Sequence, residues 1–275
     1  MQPDSVKKDT QEHWSSVPIG TQTEGFDQNE PAFDEEYFTA HSKFRFETYA
    51  PWLRDAAGFD RFAGKDVLEV GCGMGTDLLE FARGNAHVVG IDLTPTHIKL
   101  ATKRFDLFRQ TGTFVIGDAE HLPFPDASFD HVYSNGVLHH TPGTQEAINE
   151  IHRVLRPGGT AQILLYHKNS LVYYLRIMLE SGSKRFVRHM LNGKRLREFS
   201  LERVLSASTD GETNPLTKVY TRRQAAQLMQ RFSNVRVTVH HLRKGDFPLS
   251  GLVPASILER LSDRVGWYVV MEGTT

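Results

Sequence analysis

The sequence predicts an α/β fold built on an open, doubly wound sheet, and three features carry that prediction. In the stretch from Asp66 to Asp77, a β-branched apolar run (Asp66-Val67-Leu68-Glu69-Val70) meets three alternating glycines, Gly71, Gly73 and Gly75, and passes into the helical pattern Asp77-Leu78-Leu79-Glu80-Phe81-Ala82-Arg83. A second apolar run, His87 to Leu93, places an acid, Asp92, about 20 positions after the first glycine. Strand-like and helix-like segments then alternate, which is the rhythm of a parallel sheet crossed by helices.

Composition bounds the rest. The chain has 275 residues, 39% hydrophobic and 24% charged, enough to bury a full core. Its net charge of −1 gives no electrostatic reason to expect nucleic acid. The one cysteine, Cys72, excludes an internal disulfide and a cysteine-rich metal site. Residues 1–34 are polar, with no basic and apolar leader, and are expected to be flexible or extended. No run approaches the roughly 20 apolar residues of a membrane span, so a cytoplasmic protein is expected. From Glu35 to Phe59, Tyr37, Phe38, His41, Phe44, Phe46, Tyr49, Trp52 and Leu53 recur at near-helical spacing, as core or docking residues.

The glycine loop narrows the ligand. A dinucleotide loop reads G-x-G-x-x-G, but here the third glycine is Gly75 and position 76 is Thr76. Glu69, two residues before Gly71, also adds negative charge where a phosphate would lie. A cationic or neutral group suits the loop better. The order E-x-G-x-G-x-G resembles the first motif of class I S-adenosylmethionine (SAM) methyltransferases. That resemblance implies that Glu69, Gly71, Cys72, Gly73 and Thr76 meet SAM, and that S-adenosylhomocysteine is the product. It also lets the aromatic helix close over the cofactor, with Tyr37 and Arg45 reaching its methionine carboxylate.

Each following strand adds an acid. Asp92, with Leu93 beside it, stands where an open α/β sheet places a ribose-binding carboxylate; the alternative is a cap for the helix that begins near Pro95. Phe114 to Glu120 reads as a third strand closing on Asp118, Ala119 and Glu120, where Asp118 either caps the loop or accepts from an adenine amino group. The phrase D-A-E-x-L-P-F resembles the adenine segment of the ubiquinone/menaquinone-biosynthesis methyltransferases, the methyltransferase type 11 family. Phe129 to Pro142 is the fourth strand with its exit loop, and S-x-G-V-L-H-H resembles the family's segment beside the transferable methyl. Through that likeness the Ser134 carbonyl and Asn135 would accept from the cofactor's ammonium, while His139 and His140 face the acceptor. One imidazole of the pair can equally tie the loop to a carbonyl. Unperturbed imidazole titrates near 6.5, so either can take a proton at neutral pH.

A helix from about Thr144 to Leu155 stops at Arg156-Pro157-Gly158-Gly159, another phrase resembling the family, and the strand Thr160 to His167 delivers Tyr166 and His167 to the carboxyl edge. The resemblance covers roughly Lys65 to Tyr166. Beyond it, Leu171 to Leu179 is an apolar helical stretch followed by Lys184, Arg185, Arg188, Lys194, Arg195 and Arg197. It reads as a substrate lid whose cations either meet the acceptor or face solvent; a basic amphipathic helix also fits a membrane surface. Thr221 to Met229 is an N-capped helix, Val235 to Leu242 and Gly266 to Met271 are the last strands, and Ile257 to Leu261 is a short helix.

The resulting organisation is an N-terminal segment (1–34), a SAM-binding core with its capping helix (35–167), a helical lid insert (168–219) and the end of the sheet (220–275). The resemblance implies seven strands, Rossmann-like, ending in an antiparallel hairpin. The expected activity is SAM-dependent methyl transfer to a small aromatic or apolar acceptor through carbon, oxygen or nitrogen. His139, His140, Tyr166 and His167 are the candidates for handling the acceptor's proton. No H-x-x-H or H-E-x-x-H spacing occurs, so no metal is expected. Two alternatives compete: tRNA modification, for which the basic run is the support, and SAM binding without methyl transfer.

Overall fold

The computed structural model describes residues 3–16, 22–23, 26–27, 32–192 and 199–275. Seven strands form one sheet: β1 (Asp66–Val70), β2 (His87–Asp92), β3 (Thr113–Ile116), β4 (Phe129–Asn135), β5 (Leu155–Tyr166), β6 (Ser233–His240) and β7 (Tyr268–Thr274). Their spatial order is β3-β2-β1-β4-β5-β7-β6. β1 to β5 run parallel, and β7 is antiparallel to both β5 and β6. The doubly wound sheet and its closing antiparallel pair are thus as the sequence leads one to expect. The order reverses between β1 and β4, and at such a switch point the loops leaving the two strands diverge and open a crevice.

Strand alternation divides the core. Val67 points to the face packed by Phe46, Leu78, Phe81 and Phe105, whereas Leu68 and Val70 point to the face packed by Ile148, Ile151 and Met229. Helices α4 (Thr76–Arg83) and α5 (Pro95–Leu107) follow β1 and β2, and α6 (Thr144–Val154) follows β4. The predicted stop at Arg156–Gly159 falls inside β5 instead. Leu155 already pairs with Phe129, and the glycines bulge out before pairing resumes at His131 with Thr160.

The N-terminal expectation needs correction: Pro3–Ser16 is a helix, α1, not an extended segment. Its buried face is Val6, Thr10 and His13, at helical spacing but two-thirds polar, so hydrophobic periodicity did not mark it. The aromatic stretch forms α2 (Glu35–Lys43), capped by the Asp34 side chain, then a π-helical turn (Phe44–Tyr49) and α3 (Leu53–Ala57). The third strand ends at Ile116, leaving Asp118, Ala119 and Glu120 in the following loop. In the insert, a π-helix (Val172–Ser181) and α8 (Leu201–Thr209) pack over Tyr166, Trp267 and Tyr268, and α7 (Gly182–Leu191) packs against both of them. Thr221 and Gln224 form a capping box for α9 (Arg222–Leu228), and α10 (Ala255–Val265) precedes β7. Lys194, Arg195 and Arg197 lie outside the described residues.

Candidate functional site

The crevice at the switch point begins with the glycine loop. Gly71, Gly73 and Gly75 have φ of +75°, +51° and +72°, the left-handed region that side chains resist. Gly71 also packs against Val137, where a Cβ would come within 2.3 Å of a Val137 methyl. Gly136, leaving β4 with φ +74°, has open space where its side chain would be. It lines both of the cavities into which the cleft divides, as do Trp14, Gly71 and Gly73. A side chain there would fill the passage between them.

The first cavity runs over the ends of β2 and β3, lined by Asp92, Leu93, Asp118, Ala119, Val137 and His140, with Lys7, Thr10 and Trp14 of α1 as its roof. Asp92 accepts from the Gly73 and Thr94 N–H groups, each at 2.9 Å, and its Oδ1 lies 3.1 Å from His97 Nδ1. Burial alone would raise its pKa, but His97 and the two N–H donors outweigh burial and hold it below the ordinary carboxylate range. Asp92 thus bonds the residue at the start of α5, Thr94, and also lines the first cavity. Asp118 lines the cavity but also pairs with Lys7 at 2.6 Å. Glu120 is not part of the lining: it is buried against Lys7 at 2.6 Å and accepts from Gly143 N and from Thr141 Oγ1, tying the exit loop of β4.

The second cavity, of about 460 Å³, starts at the loop and extends under the insert. Glu69, Cys72, Thr76, Asn135, Arg45 and also His41 and Asp77 line its inner end. Arg45 does not reach out freely, because its guanidinium grips Asp77 at 2.5 and 2.6 Å. Asn135 donates to the same Asp77 carboxylate at 3.0 Å, as does Tyr133. Burial would raise Asp77, but Arg45 and these hydrogen bonds hold it low. For Glu69, burial and then the charge of Asp77 outweigh Arg45 and a backbone hydrogen bond with Leu78, and push its carboxyl well up. Burial and the charge of Asp92 likewise push up the Cys72 thiol, which keeps it protonated. Thr76 accepts from the wholly buried Arg104, a cation that burial lowers to about 9.

One expected contact is placed elsewhere: Tyr37 is buried against Phe33 and Phe38 and does not line the cleft. Ser134, whose carbonyl was the expected acceptor, is wholly buried and pairs with Ile163 in the sheet, its hydroxyl donating to Val70 O at 2.9 Å.

The outer end of the second cavity is walled by Tyr49, Tyr166, Trp267 and Tyr268, with Val172, Arg176 and Ile177 from the insert, Asp210 at the end of α8, and Arg243 and Asp246. Of the four residues proposed to handle a proton, Tyr166 alone lines this chamber, and His140 borders the first cavity. His139 is buried under Tyr166, with ring centroids 3.9 Å apart, and burial holds it neutral. His167 is buried with Nδ1 3.0 Å from Gly266 O, so it ties two chain segments together. Asp77, His41, Asp210, Arg243 and Asp246 were not singled out from sequence. Only Asp77 stood within a recognisable motif; the others reach the cleft through long-range folding.

The carboxylates along the inner cleft, Glu69, Asp77, Asp92 and Asp118, fit a ligand with hydroxyls and cationic groups and oppose one with phosphates. The open space at Gly136 fits the same ligand. Among the described residues no group of three or more His, Cys, Asp or Glu could hold a metal ion, and no helix is long and apolar enough to cross a membrane.

Comparison with known proteins agrees with this chemistry. Residues 68–163 match the family model described as "Methyltransferase domain". The phthiotriol/phenolphthiotriol dimycocerosates methyltransferase of Mycobacterium leprae is 44% identical over 99 residues, 35% of this chain and 36% of that protein. The 27-O-demethylrifamycin SV methyltransferase of Amycolatopsis mediterranei is 39% identical over 101 residues, covering 35% and 37%. The matched segment thus spans little more than a third of these curated relatives. Among solved structures, the 1,6-didemethyltoxoflavin-N1-methyltransferase of Burkholderia thailandensis, with S-adenosylhomocysteine bound, aligns over 100% of this chain and 91% of its own (TM-score 0.54, 18% identity). The [4+2]-cyclase SpnF aligns over 82% and 80% (TM-score 0.53, 18% identity). At such identities the likeness is one of fold.

Proposed function

We propose that this chain, whose residues 68–163 form a methyltransferase domain, transfers a methyl group from SAM to a small acceptor held in the aromatic chamber. The observation that carries the reading is the adjacency of two cavities. One, lined by Asp92 and Asp118, and the other, which leads from Glu69 and Asp77 to a chamber walled by Tyr49, Tyr166, Trp267 and Tyr268, share Trp14, Gly71, Gly73 and Gly136 as lining.

Asp92, Leu93, Asp118 and Ala119 would hold the adenosine end; Gly71, Gly73, Asp77 and Asn135 would hold the methionine end. Bound there, SAM supplies an electrophilic methyl group. The chain's own work is then to orient the acceptor, hold its nucleophilic atom about 3–3.5 Å from the reacting carbon, and exclude water. The insert does this from above, through Val172, Arg176 and Ile177.

The test has two arms. Calorimetry should show binding of S-adenosylhomocysteine and none of NADH; the reverse pattern rejects the cofactor. Incubation with methyl-labelled SAM and fractionated extract should then yield a labelled small molecule. The cyclase neighbour shows that this fold also serves reactions other than methylation, so cofactor binding with no label in any fraction would favour a non-methylating role. RNA is the weaker alternative, since Lys184 pairs with Glu180 and Arg185 with Glu212.

A further inference from the structure

Resting on the methyl-transfer reading, we infer that the acceptor is a hydroxyl compound of the phenol class and that Asp210, backed by His140, takes its proton. Asp210 belongs to the insert, at the end of α8, and reaches the chamber 74 residues after the β4 exit loop has begun at Gly136 only because the insert folds back over that loop; Lys218 N bonds to His139 O at 3.0 Å there.

The carboxylate is held from two sides. Tyr166 donates its hydroxyl to Oδ1 at 2.9 Å, and the ring of Tyr166 stacks on Trp267 at 4.5 Å. The other oxygen, Oδ2, has a long contact to Asn214 Nδ2 at 3.4 Å and faces His140 Nε2 at 3.6 Å.

The tautomer of His140 follows from its second nitrogen. Nδ1 lies 2.7 Å from Leu216 O, and a carbonyl only accepts, so Nδ1 carries the hydrogen. In the neutral ring Nε2 is therefore a bare lone pair, and it has no hydrogen-bond partner. A lone pair and a carboxylate oxygen face one another across 3.6 Å, too far for a hydrogen bond and close enough for an ion pair once a proton arrives. A proton delivered to either atom would complete the pair. His13 on α1 is a second imidazole within electrostatic reach of Asp210, with Nδ1 2.7 Å from Thr213 Oγ1, but it hydrogen-bonds the Asp210 backbone, whereas His140 faces the carboxylate itself.

Such a pair suits an O–H acceptor. As the acceptor oxygen loses its proton to Asp210 Oδ2, and through it to His140 Nε2, the freed pair on oxygen becomes the new O–C bond. The pair of the broken S–C bond stays on sulfur. One positive charge disappears from the sulfonium and one appears on the imidazole beside Asp210, so charge is conserved. The aromatic walls and the 460 Å³ volume favour a planar ring carrying that hydroxyl.

A chromogenic phenol tests this without turnover. With S-adenosylhomocysteine present, 4-nitrophenol is titrated into the protein at a pH one unit below its own solution pKa. In the native protein the bound fraction should absorb as phenolate. In Asp210→Asn, whose amide would donate to Nε2, and in His140→Gln, it should stay neutral, while in Asp210→Asn, which lies outside the first cavity, calorimetric affinity for S-adenosylhomocysteine changes less than about twofold. Neutral 4-nitrophenol in the native protein, no binding at all, persistence of the phenolate band in Asp210→Asn, or its loss in His13→Gln but not in His140→Gln would each overturn the inference. Failure of the native protein to bind S-adenosylhomocysteine would instead remove the cofactor reading, and the phenolate band measured without it would still decide the proton acceptor.

Discussion

Asp92 shows how much one side chain is asked to do. Its carboxylate closes the glycine loop through Gly73 N–H, starts α5 through Thr94 N–H, and still lines the adenosine cavity. Asp92→Ala removes the acceptor for two ribose hydroxyls and loosens the loop, so SAM affinity should fall at least tenfold, about 1.4 kcal/mol by calorimetry; an unchanged Kd would refute the ribose assignment. Gly71→Ala attacks the same loop through the backbone. The left-handed φ of +75° costs an alanine roughly 1–2 kcal/mol, and the new methyl would also strike Val137. A urea midpoint lowered by about 2 kcal/mol is expected, with cofactor affinity reduced at least tenfold; native stability and affinity together would show that the loop tolerates a side chain. These positions were legible because their meaning is local: a glycine spacing and an acid at a strand end. Asp210 was not, since nothing in its neighbours announces that Tyr166 and His140 will stand beside it.

Elements were legible where hydrophobic periodicity and function coincide. The strand ends and α6 came through because their apolar residues recur at the period of the structure, whereas α1 buries Thr10 and His13 and so was missed. Yet α1 roofs the adenosine cavity. Lys7 bridges Asp118 and Glu120 at 2.6 Å each, and Gln11 donates to Leu93 O at 2.7 Å. A cofactor bound in this cavity would lie against Lys7, Thr10 and Trp14, so the hold of α1 is expected to slow its release. Lys7→Ala removes the cation from between two carboxylates; since the groups are partly exposed, about 1 kcal/mol is the scale, or roughly fivefold in rate. Dissociation of S-adenosylhomocysteine should quicken by that factor in stopped-flow fluorescence, with Trp14 in the cleft as reporter. A dissociation rate equal to the native one would mean that the helix does not control release.

At the scale of the whole molecule, the doubly wound sheet with its antiparallel end was readable from the chain and the chamber was not, because the chamber is assembled from the insert, β7 and the loop after β6, which meet only in three dimensions. The fold as a whole buries histidines as neutral rings, and their sum sets the acid response. Burial, reinforced by Arg104 and Arg45, lowers His41 to about 3; burial lowers His131 to about 3, and burial with Arg243 lowers His241 to about 3. His139 is lowered well below its ordinary value by burial and by its neighbours. For each, the folded pKa lies below the unfolded value near 6.5, so the unfolded chain binds the extra proton and stability is present above 6.5 and lost as pH falls below it. Glu69 and Asp246 act the other way: burial raises both, their protonated forms favour the fold at low pH, and they offset part of the loss. His13, His167 and His240 are lowered by burial as well, so seven histidines outnumber two acids and stability should fall by at least about 2 kcal/mol between pH 6.5 and 5.5, well above the range where carboxylates titrate. Urea midpoints measured across that interval at constant m-value check it. A midpoint that holds steady or rises on acidification would mean that the buried imidazoles are already charged in the fold, and that water reaches rings the packing encloses.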